Sequence, residues 1–288
     1  MRERTKQALS LLKSCSLCPR NCGVNRLKDE PGYCKTGRKA RVASFNAHFG
    51  EEAPLVGRRG SGTIFFSGCN LLCTFCQNYE ISHYNQGIIT ESETLARMMT
   101  DLAEKGCHNI NFVTPSHVIP QLLEAVETAA ARGLNIPLVY NTGGYDKPGT
   151  LKLLEGIFDI YMPDFKFLDS APAARYCQAP DYPVVVQEAV REMYRQVGDL
   201  VINEQGIAER GLLVRHLVMP GNAANTKAVV EFLIGTISGN TYINIMKQYW
   251  PCYKAKTDDA INSRITPEEY RQALDRARKA GARRIERQ

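Results

Sequence analysis

The chain contains 288 residues, 44% of them hydrophobic, which is enough to bury a sizeable core as one large α/β domain or two smaller ones. Its 36 Lys and Arg residues exceed its 30 Asp and Glu residues, and the net charge of +6 gives no clear signal for nucleic acid. The sequence has no apolar run long enough to span a bilayer and no signal peptide, so we expect a cytoplasmic protein without a membrane partner.

The N-terminal segment, residues 1–58, carries four closely spaced cysteines: Cys15, Cys18, Cys22 and Cys34. Four thiolates without a histidine can close a tetrahedral zinc site or hold an auxiliary iron–sulfur cluster. The spacing matches neither the equal knuckles of a zinc ribbon nor a ferredoxin run, so zinc and a cluster both stay open, with an unmetallated group as the third interpretation. We expect a metal to staple this segment, because it is too small to fold on a core of its own.

Three further cysteines, Cys69, Cys73 and Cys76, directly follow the first predicted strand. Three thiolates can hold three irons of a [4Fe–4S] cluster, whose usual complement is four cysteines. The remaining iron keeps an open coordination position, which distinguishes a catalytic metal centre from a structural one. Zinc is the competing interpretation, but zinc sites pair Cys-x2-Cys with a second pair, and none follows this loop.

The other three cysteines, Cys107, Cys177 and Cys252, stand alone in the sequence. Without secretion, clustered cysteines indicate metal sites rather than disulfides, and isolated cysteines are usually small buried side chains. We therefore predict packed, inert thiols at these three positions.

After residue 60 the sequence alternates short β-rich runs with helical patterns. The predicted strands are residues 63–67, 109–113, 136–140, 158–162, 212–218 and 242–246. Strands that alternate with helices predict βαβ units and a parallel sheet. Six units are too few for a closed eight-stranded barrel, so we predict an α/β fold: an open partial (β/α)6 barrel over residues 59–288, preceded by the small four-cysteine segment.

Helices are predicted between these strands. Two of them start at a capping box, formed by Thr90 with Glu93 and by Thr266 with Glu269. Apolar spacing and glycine or proline breaks predict the others, at residues 121–132, 181–196 and 226–234. The cysteine loop then lies at the C-terminal end of a barrel strand, where βα barrels carry their chemistry.

The loop with Cys69, Cys73 and Cys76, and with the aromatic Phe75 before its last cysteine, resembles the cluster-binding loop of the radical S-adenosylmethionine (SAM) enzymes. With the Cys18-Pro-Arg-Asn-Cys22-Gly segment, the resemblance spans most of the chain and is to the branch related to pyruvate formate-lyase activating enzyme. It implies the open barrel, a [4Fe–4S] cluster whose open iron takes SAM, and an electron donor such as flavodoxin or ferredoxin.

The resemblance also implies cofactor contacts at the later strand ends. Thr114 and Pro115 replace a Gly-Gly-Glu-like segment that binds the SAM amino group, so their backbone is expected to make that contact. On the fifth predicted strand, alternation places Arg215 and His216 on opposite faces. Arg215 is expected inside the barrel, where its guanidinium suits the SAM carboxylate or ribose, and His216 is expected under a helix.

The third and fourth strand ends resemble segments that build a monovalent-cation site beside SAM. Asn141, Thr142 and Asp164 would supply oxygen ligands, together with the Met162 carbonyl. Asn141 stands where the related enzymes have Asp, which removes one charge. Lys166 is expected beside the cofactor, and a strand-end ion pair between Asp164 and Lys166 is the alternative interpretation.

The implied function is reductive cleavage of SAM to a 5′-deoxyadenosyl radical, which abstracts hydrogen from a substrate. Glycyl-radical activation of a protein partner is one use of it. Residues 58–62 lack the Gly-Pro-Gly of activating enzymes, which keeps radical modification of a small molecule or peptide as an alternative. A non-catalytic iron–sulfur electron-transfer protein is the second alternative. Catalytic residues beyond cluster and SAM binding are not predicted.

Overall fold

The computed structural model describes residues 1–286, and one sheet of ten strands forms its centre. The strands are β1 (Ala40–His48), β2 (Ser61–Phe66), β3 (Ile88–Thr90), β4 (Ile110–Val113), β5 (Leu138–Thr142), β6 (Ile160–Pro163), β7 (Val201–Ile202), β8 (Ala208–Leu217), β9 (Tyr242–Met246) and β10 (Arg284–Ile285). Their order is β10-β9-β8-β6-β5-β4-β2-β1-β3, with β7 paired to β8 off this path.

The barrel part of the sheet is parallel. β2, β4, β5, β6, β8 and β9 pair in parallel in that order, and they are the six strands predicted from the sequence. Within residues 1–286 the sheet ends at β3 and β10 and does not close on itself. The predicted open partial (β/α)6 barrel is therefore confirmed.

Four strands were not predicted. β1 and β3 add an antiparallel edge beyond β2, while β7 and β10 contain only two residues each, too few to show a period. β1 alternates buried and partly buried side chains only over its first four residues, which leaves little pattern to detect. Because β1 lies within the predicted N-terminal segment, that segment contributes a strand to the barrel sheet.

The helices are α1 (Arg2–Ser10), α2 (Ala53–Val56), α3 (Tyr79–Ser82), α4 (Ser92–Glu104), α5 (Ile119–Ala131), α6 (Pro148–Leu151), α7 (Ser170–Cys177), α8 (Tyr182–Val197), α9 (Thr226–Phe232) and α10 (Pro267–Lys279). The capping box of Thr266 and Glu269 at α10 is confirmed. The one predicted at Thr90 is wrong, because Thr90 ends β3 and its hydroxyl donates to the Ile88 carbonyl at 2.9 Å. No helix within residues 1–286 is long and apolar enough to cross a membrane.

The inside of the barrel changes character along the strands. An apolar layer, which includes Val139, Ile160 and Leu213, fills the end where the strands begin. One step further along the strands the inward positions become polar, for example Asn141 and Arg215. Polar groups inside a barrel need partners or a ligand, so this layer marks the functional end of the fold.

Candidate functional site

Cys69, Cys73 and Cys76 lie on the loop that leaves the C-terminal end of β2. Gly68 turns the chain there with φ +82°, and a Cβ at this position would collide with the Cys34 carbonyl. All three cysteines line one cavity of about 220 Å³, whose wall also includes the ends of the neighbouring strands. β2, the first strand of the barrel, therefore places three thiols at the functional end of the barrel, as the sequence predicted.

Each of these three sulfurs has a hydrogen-bond partner. The contacts are Leu71 N–H to Cys69 Sγ at 3.3 Å, Ser82 Oγ with Cys76 Sγ at 3.2 Å, and Cys177 Sγ to Cys73 Sγ at 3.3 Å. Outer partners of this kind orient metal ligands and tune the metal. Three hydrogen-bonded sulfurs around one cavity fit a cluster that takes three cysteine ligands.

Burial controls the protonation of these thiols. It raises the pKa of Cys69 to about 11 and that of Cys76 to about 12. Contact with Cys177, together with burial, raises the pKa of Cys73 well above its usual value. The free thiols are therefore neutral at pH 7, so cluster binding must displace their protons and is favoured by higher pH.

A buried ionic group also lines the cavity. Asp164 accepts from Lys166 Nζ at 2.6 Å and from Arg215 Nε at 2.8 Å, and Arg215 Nη2 also donates to Asn141 Oδ1 at 2.7 Å. Burial alone would raise the pKa of Asp164, but Arg215 and Lys166 outweigh it and hold that pKa below its ordinary value. The ion pair of Asp164 and Lys166 that the sequence left as an alternative is present.

The structure separates the two neighbours on β8 as expected from alternation. Arg215 lines the cavity, whereas His216 is fully buried on the other face. The imidazole contacts the Phe165 carbonyl at 2.8 Å and the hydroxyl of Thr226, the first residue of α9, at 3.1 Å. Burial lowers the pKa of His216 to about 4, so this histidine is a neutral packing residue beneath the helix.

The remaining predicted cofactor residues take different positions. Phe75 and Thr114 line the cavity, and the Thr114 backbone has a left-handed φ of +61°. Pro115 is absent from that lining among the described residues, and its carbonyl accepts the Val118 N–H at 2.9 Å. Thr142 also lines the cavity, but its hydroxyl donates to the buried carboxylate of Asp146 at 2.6 Å.

The four N-terminal cysteines occupy a different environment. Cys15, Cys18 and Cys34 are buried, and Cys22 is partly exposed and accepts the Tyr33 N–H at 3.3 Å. Burial raises the pKa of Cys18 to about 12. Within residues 1–286, no three His, Cys, Asp or Glu side chains converge as ligands of a single metal ion. The geometry of the N-terminal cysteines therefore favours neither zinc nor an iron–sulfur cluster.

Arg20 joins the two cysteine groups. This residue, from the Cys18-Pro-Arg-Asn-Cys22 segment, donates to four backbone carbonyls: those of Asn70 at 2.8 Å, Gln178 at 2.6 Å, Cys177 at 3.0 Å and Leu71 at 3.5 Å. Its guanidinium also stacks 4.0 Å from the centroid of the Tyr33 ring. The N-terminal segment therefore packs directly against the loop that carries Cys69, Cys73 and Cys76.

Sequence reasoning missed three contributors to the site. Cys177 is separated from Cys73 by about a hundred residues, and a lone cysteine gives no signal of such a contact. Ser82 follows the cysteine loop but has no motif of its own. Arg20 lies between Cys18 and Cys22, and this position between two cysteines is the signal that could have identified it.

An open parallel barrel with three cavity-lining cysteines after its first strand is the architecture expected of an enzyme that uses an iron–sulfur cluster with SAM. Residues 63–233, more than half of the chain, match the Radical SAM superfamily, so the chain belongs to that superfamily. The family implies an enzyme with a [4Fe–4S] cluster and SAM. The predicted resemblance to the radical SAM enzymes is therefore confirmed at the level of the superfamily.

Individual proteins are also similar to the chain. "Uncharacterized protein MJ0674" of Methanocaldococcus jannaschii is 32% identical over 280 residues, which cover 94% of this chain and 76% of that protein. The crystal structure of a radical SAM methyltransferase from Sphaerobacter thermophilus has a TM-score of 0.55 and 14% identity, covering 78% of this chain and 67% of that one. At this identity the methyltransferase supports the fold alone.

Proposed function

We propose that the chain holds its [4Fe–4S] cluster at Cys69, Cys73 and Cys76 and uses bound SAM to begin hydrogen abstraction from a substrate. The observation that carries this proposal is one cavity of about 220 Å³ whose lining combines three thiols with a buried ionic group. When bound, the cluster supplies the electron that splits SAM into methionine and a 5′-deoxyadenosyl radical. The cavity favours this function over that of an electron carrier, which has no need of a cofactor pocket.

The ionic wall suits the charged end of SAM. Arg215 and Lys166 present cationic donors for its carboxylate, and the side-chain nitrogen of Asn141, which has no hydrogen-bond partner within residues 1–286, is a further donor. Burial strengthens each of these contacts, since charges interact more strongly away from water. Thr114 at the cavity wall and Pro115 beside it remain the proposed backbone contacts.

The apolar part of the cavity excludes water from the radical. Its apolar lining residues include Leu71, Phe75, Leu217 and Met246. Phe75 is held in place by edge-on packing against Phe167, with ring centroids 6.1 Å apart. A closed, apolar surround prevents side reactions of an intermediate that would otherwise attack solvent-borne hydrogen donors.

A monovalent cation at Asn141, Thr142 and Asp164 is the part of the proposal with the least geometric support. Both oxygens of Asp164 are engaged by Lys166 and Arg215, and the Thr142 hydroxyl is engaged by Asp146. Measuring SAM affinity with and without K⁺ tests this site. A K⁺-independent affinity would remove the cation from the proposal.

The decisive experiment is SAM cleavage by the reconstituted protein. After anaerobic loading with iron and sulfide, dithionite and SAM should yield 5′-deoxyadenosine. The variant Cys69→Ala/Cys73→Ala/Cys76→Ala should yield none, and Cys107→Ala, which alters a buried cysteine away from the cavity, should behave like the wild type. A fully loaded cluster that cleaves no SAM would instead support an electron-transfer protein.

The nature of the N-terminal metal can be decided on the same triple variant. We propose a metal held by the four cysteines of residues 1–58, either zinc or an auxiliary iron–sulfur cluster. Iron that persists in the triple variant without zinc identifies an auxiliary cluster, and zinc without iron identifies a structural zinc site. Neither metal at stoichiometric level would leave an unmetallated cysteine group.

We further propose an external electron donor of the flavodoxin or ferredoxin type. Among the described residues, the cysteines that line the cavity belong to one loop, which provides for one cluster and no second redox centre beside it. Radical formation on a protein partner and radical modification of a small molecule or peptide are the two candidate uses. The absence of Gly-Pro-Gly from residues 58–62 favours the second.

A further inference from the structure

A second, larger cavity adjoins the one described above. It measures about 620 Å³ and shares Arg215 and Gln248 with the smaller cavity. The rest of its wall comes mainly from residues 49–57, together with Asn244 and Glu286. Because the two cavities share a wall, a ligand in the larger one would lie next to a cofactor in the smaller one.

Acidic side chains dominate this second wall. Among the described residues that line it, Glu51, Glu52 and Glu286 are carboxylates and Arg215 is the one cationic group. Glu286 has a structural role, since it accepts the Ala53 N–H at 3.0 Å at the start of α2 and also accepts the Tyr242 hydroxyl. Glu51 and Glu52 are therefore the lining carboxylates that the fold leaves at least partly available to a ligand.

Glu52 is 95% buried, and one of its two oxygens lacks a partner. Its relative exposure is 5%, and its Oε1 accepts from Asn244 at 2.8 Å. Its Oε2 has no hydrogen-bond partner within residues 1–286. A buried carboxylate oxygen without a donor is costly, and a cation bound in this cavity would supply the missing partner.

Glu51 lies between this cavity and the cofactor wall. Its Oε2 is 3.7 Å from Arg215 Nη1, beyond hydrogen-bond distance, and its side chain is 8% exposed. Burial raises the pKa of Glu51 to about 7, with Arg215 opposing that effect. A cation bound beside Glu51 would stabilise its charged form and offset the free-energy cost of burying that charge.

We propose that this second cavity binds the substrate through an organic cation, an alkylammonium group that Glu51 and Glu52 receive next to the SAM cavity. We favour an organic cation over a metal ion because the wall offers two carboxylates, and the third, Glu286, is already engaged by Ala53 and Tyr242. The proposal rests on the proposed function for the statement that the ligand is a substrate. The binding itself is independent of SAM cleavage.

The test is calorimetric binding to the cluster-loaded, SAM-bound protein without reductant, so that no turnover occurs. Two pairs of probes separate charge from shape: butylamine against 1-butanol, and Gly-Lys-Gly against Gly-norleucine-Gly, with both tripeptides N-acetylated and C-amidated so that the lysine ammonium is the one charge that differs. Only the cationic member of each pair should bind. Tighter binding of the peptide would assign the cation to a peptide or protein, and tighter binding of butylamine would assign it to a small molecule; both results support the cation site.

The variants Glu51→Gln and Glu52→Gln keep size and remove charge, and each should weaken the cationic probes by about tenfold or more. Glu188→Gln, which removes the same charge from an exposed position on α8, should bind like the wild type. Using two variants keeps the test valid if loss of the Asn244 contact unfolds Glu52→Gln.

Equal binding of cationic and neutral probes, binding of neither, or wild-type affinity in both Glu variants would overturn the proposal. Failure of the proposed function would look different: cation binding would follow the expected pattern, but dithionite would release no 5′-deoxyadenosine from the same sample.

Discussion

Two groups of cysteines in one chain offer a metal the same sulfur ligands in contrasting settings. Cys69, Cys73 and Cys76 line a cavity of about 220 Å³ that also carries buried charges. Cys15, Cys18 and Cys34 are buried and take no part in that cavity. Structural metal sites are closed by protein ligands, whereas catalytic sites keep a position open for substrate. The surroundings of the sulfurs, more than their number, therefore separate the two roles.

The contrast does not mean that the two groups are independent. Arg20 lies between Cys18 and Cys22 and donates to carbonyls of the loop that carries the other three cysteines. A closed site near the N-terminus would thus brace the open one. If the open group is catalytic and the closed group stabilises the fold, substitutions in the two groups should differ in their effects on SAM cleavage and on stability.

The largest effect is expected from Cys73→Ala. Loss of one of three cluster ligands should abolish SAM cleavage, a larger loss than the about 10–100-fold change caused by removing an outer-shell partner. Iron content and 5′-deoxyadenosine yield measure it, with Cys107→Ala as the control. Substantial cleavage by Cys73→Ala would mean that the cluster ligands lie elsewhere.

Cys18→Ser should act on stability instead. Metals at structural sites contribute folding free energy directly, so we expect the free energy of unfolding to fall by about 3–5 kcal/mol. Urea titration followed by circular dichroism measures this change. The fraction that stays folded should still cleave SAM. Equal loss of stability in Cys73→Ala would remove the distinction between the groups.

The sequence was sufficient for the barrel strands and the cysteine loop, since both leave local patterns. Alternation on β8 correctly placed Arg215 and His216 on opposite faces, and the chemistry of the guanidinium decided which of them faces the cavity. The Thr90 capping box failed because its hydroxyl bonds to the carbonyl of Ile88 within β3. A short edge strand overrode a local signal that was otherwise well formed.

Contacts between distant segments could not be read from the sequence. The second cavity joins residues 49–57, which follow β1, to Arg215 on β8. Such a juxtaposition depends on how the sheet curves, and no local spacing encodes it. For the same reason the carboxylates of Glu51 and Glu52 had no visible role until the fold brought them beside Arg215.

The link between the two groups is tested by Arg20→Ala. Removing the guanidinium leaves the carbonyls of Asn70, Leu71 and Cys177 without this donor, at an expected cost of about 1–3 kcal/mol and with lower cluster occupancy. Denaturation and iron content measure both effects. Arg175→Ala is the matched control, because Arg175 is exposed and its contacts are a surface ion pair with Asp258 and a cation–π contact with Tyr176, which contribute little at the surface. Similar losses of stability and iron content in both variants would show that Arg20 does not stabilise the cysteine loop.

The smallest effect is expected at Cys177, which tests how finely the open site is tuned. Once Cys73 is a ligand and has lost its proton, the Cys177 thiol 3.3 Å away is the donor to its sulfur. Such a bond stabilises the extra negative charge of the reduced cluster and raises its reduction potential. If the difference between the two redox states is about 0.5–1 kcal/mol, Cys177→Ala should lower the potential by about 20–45 mV.

Potentiometric titration monitored by electron paramagnetic resonance measures this shift directly. Cys177→Ser keeps a donor at the same position and should stay near the wild-type potential, whereas a packing defect alone would affect both variants alike. An unchanged potential in Cys177→Ala would show that the contact only fills space. In that case the sulfur environment would be set by Leu71 and Ser82, the partners of the other two ligands.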